Sequence, residues 1–232
     1  MRIIALDAST EQCAVALGDG ASWRERAEMA GQRHSELLLP MVQELLAEEG
    51  LALAEIDGFA FGAGPGSFTG LRIACGVAQG LALGTGKPVV GVPTLEAMAE
   101  VARLRYGATR VAAALDARMH EAYFAAYELD GARWRTVLEP MAVKPAAAPL
   151  PPGEGWLGAG PGFAAYPELR ARLDSALTAC REEILPTAVA IGILALPRFA
   201  AGEAVAARDA VPLYVRQRVA LTAAERAAGA RL

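Results

Sequence analysis

Two short strings in this chain return later in the same order, and that duplication limits the folds open to it. Arg2-Ile-Ile-Ala-Leu-Asp7-Ala8 is answered by Val111-Ala-Ala-Ala-Leu-Asp116-Ala117. Gly62-Ala-Gly-Pro-Gly66 is repeated unchanged as Gly158-Ala-Gly-Pro-Gly162. A strand-like run starts at Cys13, after the first aspartate, and another at Ala122, after the second. Pentamers of this kind recur by chance in a chain holding 24 glycines. Two echoes in matching order favour an ancestral duplication into two related lobes.

Hydrophobic period and turn chemistry give the first copy its elements. Strands are expected at 2–7, 13–17 and 21–28, with Gly18-Asp19-Gly20 as the turn before the third. Leu38, Met41, Val42, Leu45 and Leu46 recur at helical spacing, predicting a helix from His34 to Glu49 that Gly50 terminates. Pro40 within it implies a later start or a kink. A short strand at 58–62, a glycine turn and a helix from Ser67 to Leu83 follow. A strand at 88–92 and a helix capped by Thr94 and running to about Leu104 complete the copy. The order of three strands, helix, strand, helix, strand, helix is that of a ribonuclease-H-like lobe. The predicted fold is therefore α/β, with duplicated ribonuclease-H-like lobes and mixed sheets, as in the actin, sugar-kinase and Hsp70 superfamily. The first lobe is expected over 1–106, completed by about 207–232, and a reduced second lobe over 107–206. A proline-rich loop, 144–152, falls inside the second lobe. A late helix, 187–201, and the segment 212–219 are expected to cross back to the first lobe.

Composition narrows the function classes. At 54% hydrophobic residues and net charge −4, the chain can fill a core but has no basic footprint for binding nucleic acid alone. Cys13, Cys75 and Cys180 lie far apart with no metal-like spacing, which reads as reduced, buried thiols. The apolar run from Ile3 ends at Asp7, and the uncharged stretches 73–86 and 184–197 are shorter than the ~20 residues that span a bilayer. A cytoplasmic protein with no membrane partner is expected.

Residues suited to catalysis are few. In the superfamily the first hairpin wraps ATP phosphates and a metal. Asp7-Ala8-Ser9-Thr10 offers the acid and hydroxyls, but Ser9 stands where glycine would let amides approach a phosphate. Gly64, Gly66 and Ser67 belong to a loop opening a helix, which suits an anion, yet it lacks a P-loop lysine. The same residues also suit a glycine turn with Ser67 or Thr69 as the cap. His34 and His120 are the two histidines, and no pair has helical metal-ligand spacing. Asp116, Arg118 and Glu121 form a charged cluster after the second-lobe strand that reads as capping a turn rather than catalysing.

The second helix is unusual. Arg72, Gly76, Gly80 and Gly84 share one row, Gly70, Ala74, Ala78 and Ala82 the next, and Ile73 and Val77 flank them. Each interior glycine costs ~1 kcal/mol relative to alanine. So bare a surface admits a close-packed neighbour, either this chain's own sheet or a helix from a partner.

At Gly64-Pro-Gly-Ser-Phe-Thr-Gly-Leu-Arg72 and Gly76-Val-Ala-Gln-Gly-Leu-Ala-Leu83 the chain resembles the TsaB (YeaZ) family. The opening Ile-Ala-Leu-Asp7-Ala-Ser-Thr, Pro93-Thr-Leu-Glu96, Leu115-Asp-Ala-Arg118 and Pro212-Leu-Tyr-Val-Arg216 fit as well. The resemblance implies a non-catalytic partner subunit for threonylcarbamoylation of tRNA adenosine by the paralogue TsaD, with the ATPase TsaE. It implies a homodimer alone, a heterodimer with TsaD through the first two helices, and tRNA contact only through the complex. His34, Leu38, Met41, Val42, Leu45, Arg72, Ile73, Gly76, Val77 and Gly80 are the expected interface. ATP or ADP at the junction with TsaD would involve Asp7, Ser9, Thr10, Gly64, Gly66 and Ser67. TsaD's metal pair is His-x-x-x-His; here Leu38 stands four residues after His34. The alternative is a small ATP-dependent phosphotransferase or ATPase of the same superfamily.

Overall fold

The computed structural model describes residues 1–216. The first sheet holds β1 (Ile3–Asp7), β2 (Gln12–Gly18), β3 (Trp23–Met29), β4 (Gly58–Gly64) and β5 (Val89–Pro93), in the order β3-β2-β1-β4-β5. The β1–β2–β3 hairpins are antiparallel, whereas β4 and β5 add on parallel. The second sheet repeats this plan with β6 (Arg110–Asp116), β7 (Ala122–Asp130), β8 (Arg133–Val143), β9 (Trp156–Ala159) and β10 (Leu177–Arg181), in the order β10-β9-β6-β7-β8. Strand for strand the two sheets match, so the echo in the sequence is a duplicated fold of mixed sheets.

The helices show where the second copy is reduced. The first lobe carries α1 (His34–Glu48) and α2 (Phe68–Thr85). At the corresponding places the second has a single 3-10 turn (Pro145–Ala147) and two short helices, α4 (Gly162–Ala165) and α5 (Pro167–Leu173). Helix α1 runs from His34 straight through Pro40, so the expected later start is not found.

Alternation along β1 explains why both faces of the first sheet are covered. Ile4 and Leu6 point into the core shared with α1 and α2. Ile3 and Ala5 point into a core shared with α3 (Thr94–Tyr106) and α6 (Ala188–Ala200). Those two helices join the lobes. Helix α3 follows β5 and packs on β4 and β5 of the first sheet as well as β6, β7 and β9 of the second, while α6 follows β10 and packs on β1, β2, β4 and β5. Helix α3 is buried continuously from Thr94 to Ala102. Its two buried carboxylates therefore need partners. Arg198 of α6 donates to both oxygens of Glu96 at 2.8 and 2.7 Å. Glu100 accepts from Arg103 and from the Trp134 indole at 2.9 Å.

The late helix expected at 187–201 to cross back to the first lobe is α6, which covers the open face of β1 and β2. One expectation is corrected here. Thr94 does not cap α3; it is the first helical residue, and its hydroxyl accepts from the Gly64 amide at 3.1 Å. The crossing segment expected at 212–219, and the completion of the first lobe by 207–232, lie beyond residue 216 in part. Among the described residues, no helix is long and apolar enough to cross a membrane.

Candidate functional site

The β1–β2 turn and the glycine loop are built against each other. Asp7 ends β1 fully buried, and Ser9 donates to its carboxylate from both the backbone amide (3.3 Å) and the hydroxyl (3.1 Å). Burial pushes the Asp7 carboxyl up to about 7, with the Ser9 bonds opposing it. A Cβ at Gly62 would collide with Asp7 Oδ1, one at Gly66 with the Ser9 carbonyl, and one at Gly70 with the Ala8 carbonyl. The Ser67 amide donates to Ser9 O at 2.7 Å, and the Ser67 hydroxyl caps α2 by accepting from Gly70 N at 3.3 Å. His34 joins from the other side, its Nε2 donating to Thr10 O at 3.0 Å. The residues expected around a nucleotide (Asp7, Ser9, Thr10, Gly64, Gly66 and Ser67) do come together. Within this chain, however, Asp7, Ser9, Gly64 and Ser67 spend polar groups on one another or on Thr94.

The second lobe uses its copy of the pentamer in the same way. A Cβ at Gly160 or Gly162 would strike Ala114 in β6. The repeated string therefore has a packing cause in both lobes, a close pass of loop over first strand.

That interlock fixes the start of α2 and so determines which way each face points. Leu71, Ala74, Cys75, Ala78 and Ala82 are buried against the sheet. Arg72, Gly76, Gly80, Leu83 and Gly84 face outward, with Ile73 and Val77 half-buried beside them. A Cβ placed on Gly76, Gly80 or Gly84 would meet nothing within 4 Å. Among the described residues, then, the glycine row packs on nothing. Leu83 is 78% exposed and Phe68 46%. The Arg72 guanidinium lies 3.8 Å over the Phe68 ring and donates from Nε to the Tyr214 hydroxyl at 3.0 Å. Tyr214 belongs to the segment 211–216, which crosses the loop with Leu213 N donating to Ala63 O at 2.7 Å. Arg216 then pairs with Glu121 of the second lobe.

The α1 residues expected at the interface lie inside the chain. His34, Leu38, Met41, Val42 and Leu45 are all buried, and the four apolar ones belong to the first lobe's core. The exposed residues of α1 are Ser35, Glu36, Leu39, Pro40, Gln43, Glu44, Ala47 and Glu48. Helical period identified a buried stripe but not what buries it. Phe68, Leu83 and Tyr214 were not among the expected contacts. The signal for the first two was in the sequence, since both sit on the glycine side of α2 at helical spacing. Among the described residues, no group of three or more His, Cys, Asp or Glu is placed to hold a metal ion.

Comparison with known proteins fits this layout. Residues 27–164 match the family model described as TsaD: tRNA N6-adenosine threonylcarbamoyltransferase. Over 226 residues the chain is 42% identical to the tRNA threonylcarbamoyladenosine biosynthesis protein TsaB of Escherichia coli (strain K12), covering 95% of this chain and 96% of that one. The chain belongs to the TsaB family. The TsaB of Haemophilus influenzae (strain ATCC 51907 / DSM 11121 / KW20 / Rd) is 36% identical over 228 residues, covering 94% and 95%. The solved structure of YeaZ from Pseudomonas aeruginosa superposes with a TM-score of 0.85 at 40% identity, covering 92% of this chain and 99% of that one. As a TsaB-family protein the chain shares with TsaD-type enzymes the duplicated actin-like fold described above.

Proposed function

We propose that this TsaB-family chain is a non-catalytic partner subunit in threonylcarbamoylation of tRNA adenosine, acting by docking on a TsaD-type enzyme. The observation that carries the reading is the outward row Gly76, Gly80 and Gly84, which packs on nothing among the described residues yet is flanked by exposed Phe68 and Leu83. Glycines that cost helix stability and serve no internal contact suit a close helix crossing with another chain. The outer faces of α1 and α2 would meet the equivalent helix pair of the paralogue as a four-helix bundle. The same face would hold two copies together when the paralogue is absent. TsaE and tRNA are engaged through the complex, in keeping with a net charge of −4, and the chain works in the cytoplasm. ATP or ADP, if held, sits at the junction between subunits, because the loop's own polar groups are engaged internally.

The alternative, an ATP-dependent phosphotransferase acting alone, needs Asp7 to reach a metal or phosphate, and its full burial weighs against that. Co-purification tests the docking reading. Gly76→Leu and Gly80→Leu should each abolish capture of the TsaD-type partner while circular dichroism stays parental and the melting temperature is at or above that of the parent. A correctly folded variant that still captures the partner contradicts it. Magnesium-dependent ATP turnover by the purified chain, lost in Asp7→Asn, would favour the alternative.

A further inference from the structure

Over its 18 residues α2 carries a single charged side chain, Arg72. It stands at the N-terminal end of the outward glycine row, one turn after Phe68, and both residues are exposed. Its guanidinium is already held in place. The guanidinium carbon lies 3.8 Å from the centre of the Phe68 ring and 5.8 Å from that of Tyr214, and Nε donates to the Tyr214 hydroxyl at 3.0 Å. Tyr214 is fixed in turn, by Leu213 N donating to Ala63 O on one side and by the Arg216–Glu121 pair on the other. Among the described residues, Nη1 and Nη2 donate to nothing and no carboxylate pairs with Arg72.

In the free chain water can solvate those two nitrogens. A second chain closing on the glycine row strips that water away. A desolvated charge without a counter-ion is strongly unfavourable, and neither the two rings nor the neutral Tyr214 hydroxyl supplies one. The incoming surface must therefore bring the anion. Nη1 and Nη2 present parallel N–H groups in a plane, the fork that a carboxylate meets with both oxygens. Because stacking orders the side chain beforehand, little further freedom is lost on binding.

We propose that Arg72 is the polar anchor of the docking face and takes a carboxylate of the docking partner through Nη1 and Nη2, with Phe68 and Tyr214 shielding the pair from water. The proposal rests on the docking reading above and adds the chemistry the partner brings, an acidic side chain facing the start of α2 within an otherwise uncharged surface.

Calorimetric titration of the full chain with its TsaD-type paralogue tests it. Arg72→Gln should weaken binding at least about tenfold. Arg72→Lys keeps the charge without the fork and should recover little of that loss. Tyr214→Phe, which keeps the ring but frees Nε, should fall between parent and Arg72→Gln. All three should keep the parental circular dichroism and melting temperature. Carbodiimide, which joins amines to carboxylates, should link Arg72→Lys to the paralogue through position 72, as mapped by mass spectrometry. Gly80→Leu tests the docking itself: no binding by the parent, or unchanged binding by Gly80→Leu, overturns docking and anchor together. Binding lost in Gly80→Leu but parental in Arg72→Gln, or fully recovered in Arg72→Lys, overturns the anchor alone. A loss in Arg72→Gln that appears only with ADP present assigns the guanidinium to a nucleotide phosphate and overturns it too.

Discussion

Asp7 illustrates how one residue type can be legible in a sequence while its job is not. The acid at the end of the first strand, followed by two hydroxyls, matches a phosphate-binding hairpin, and the structure brings all three together. What the string cannot show is that Gly62, Gly66 and Gly70 let the loop close over the turn until no room is left around the carboxylate. Burial then raises the Asp7 carboxyl from 3.8 to about 7. Between pH 4 and 7 the folded chain keeps a proton that the unfolded chain has released, so this group's contribution to stability falls as pH rises through that window. The difference of about three units corresponds to something on the order of 4 kcal/mol. Asp7→Asn keeps the shape and can still meet Ser9. Urea unfolding at pH 5 and pH 8 should show the variant equal to or modestly above the parent at the lower pH and clearly more stable at the higher. A variant less stable than the parent at pH 8 would show that Asp7 is held as a carboxylate for a reason this account omits.

At the scale of elements, period located α1 and α2 within a residue or two, and the glycine-loop string located the turn between β4 and α2. The α1 stripe carried a physical ambiguity. A stripe of Leu38, Met41, Val42 and Leu45 is the same whether a sheet or a partner covers it, and here the sheet does. Small residues on α2 carried the opposite ambiguity, and among the described residues a Cβ at Gly76 or Gly80 would meet nothing within 4 Å. Because a methyl there meets nothing, Gly76→Ala and Gly80→Ala should each stabilise the free chain by up to ~1 kcal/mol while weakening partner capture. Ala78→Leu, on the buried face, should instead destabilise the chain by roughly 1–3 kcal/mol. Chemical denaturation of the three variants beside a binding assay separates the two faces. If Gly80→Ala lost stability, the row would belong to the chain's own packing.

For the whole molecule, the duplication was readable because two echoes shared an order, and the return of the late helix to the first lobe was expected too, but the packing of α3 on the second sheet was not. It rests on contacts between residues far apart in the chain, such as Glu96 with Arg198 and Glu100 with Trp134. These pairs fasten the helices that join the lobes. Arg198→Met strands the buried Glu96 charge and should cost stability near the lower end of about 3–5 kcal/mol. Adding Glu96→Leu should recover most of the loss in urea titration. A double variant no better than the single one would mean that Arg198 acts through Gly91 O, its other acceptor at 3.0 Å, rather than through the charge.

The docking role is a property of the assembled protein, and sedimentation measures it most directly. Analytical ultracentrifugation of this chain alone, of its TsaD-type paralogue alone and of the equimolar mixture should give a one-to-one heterodimer that replaces any self-association. Gly80→Leu should return both species to their separate boundaries. Two unaltered boundaries in the parental mixture, with ATP and TsaE present, would contradict the account.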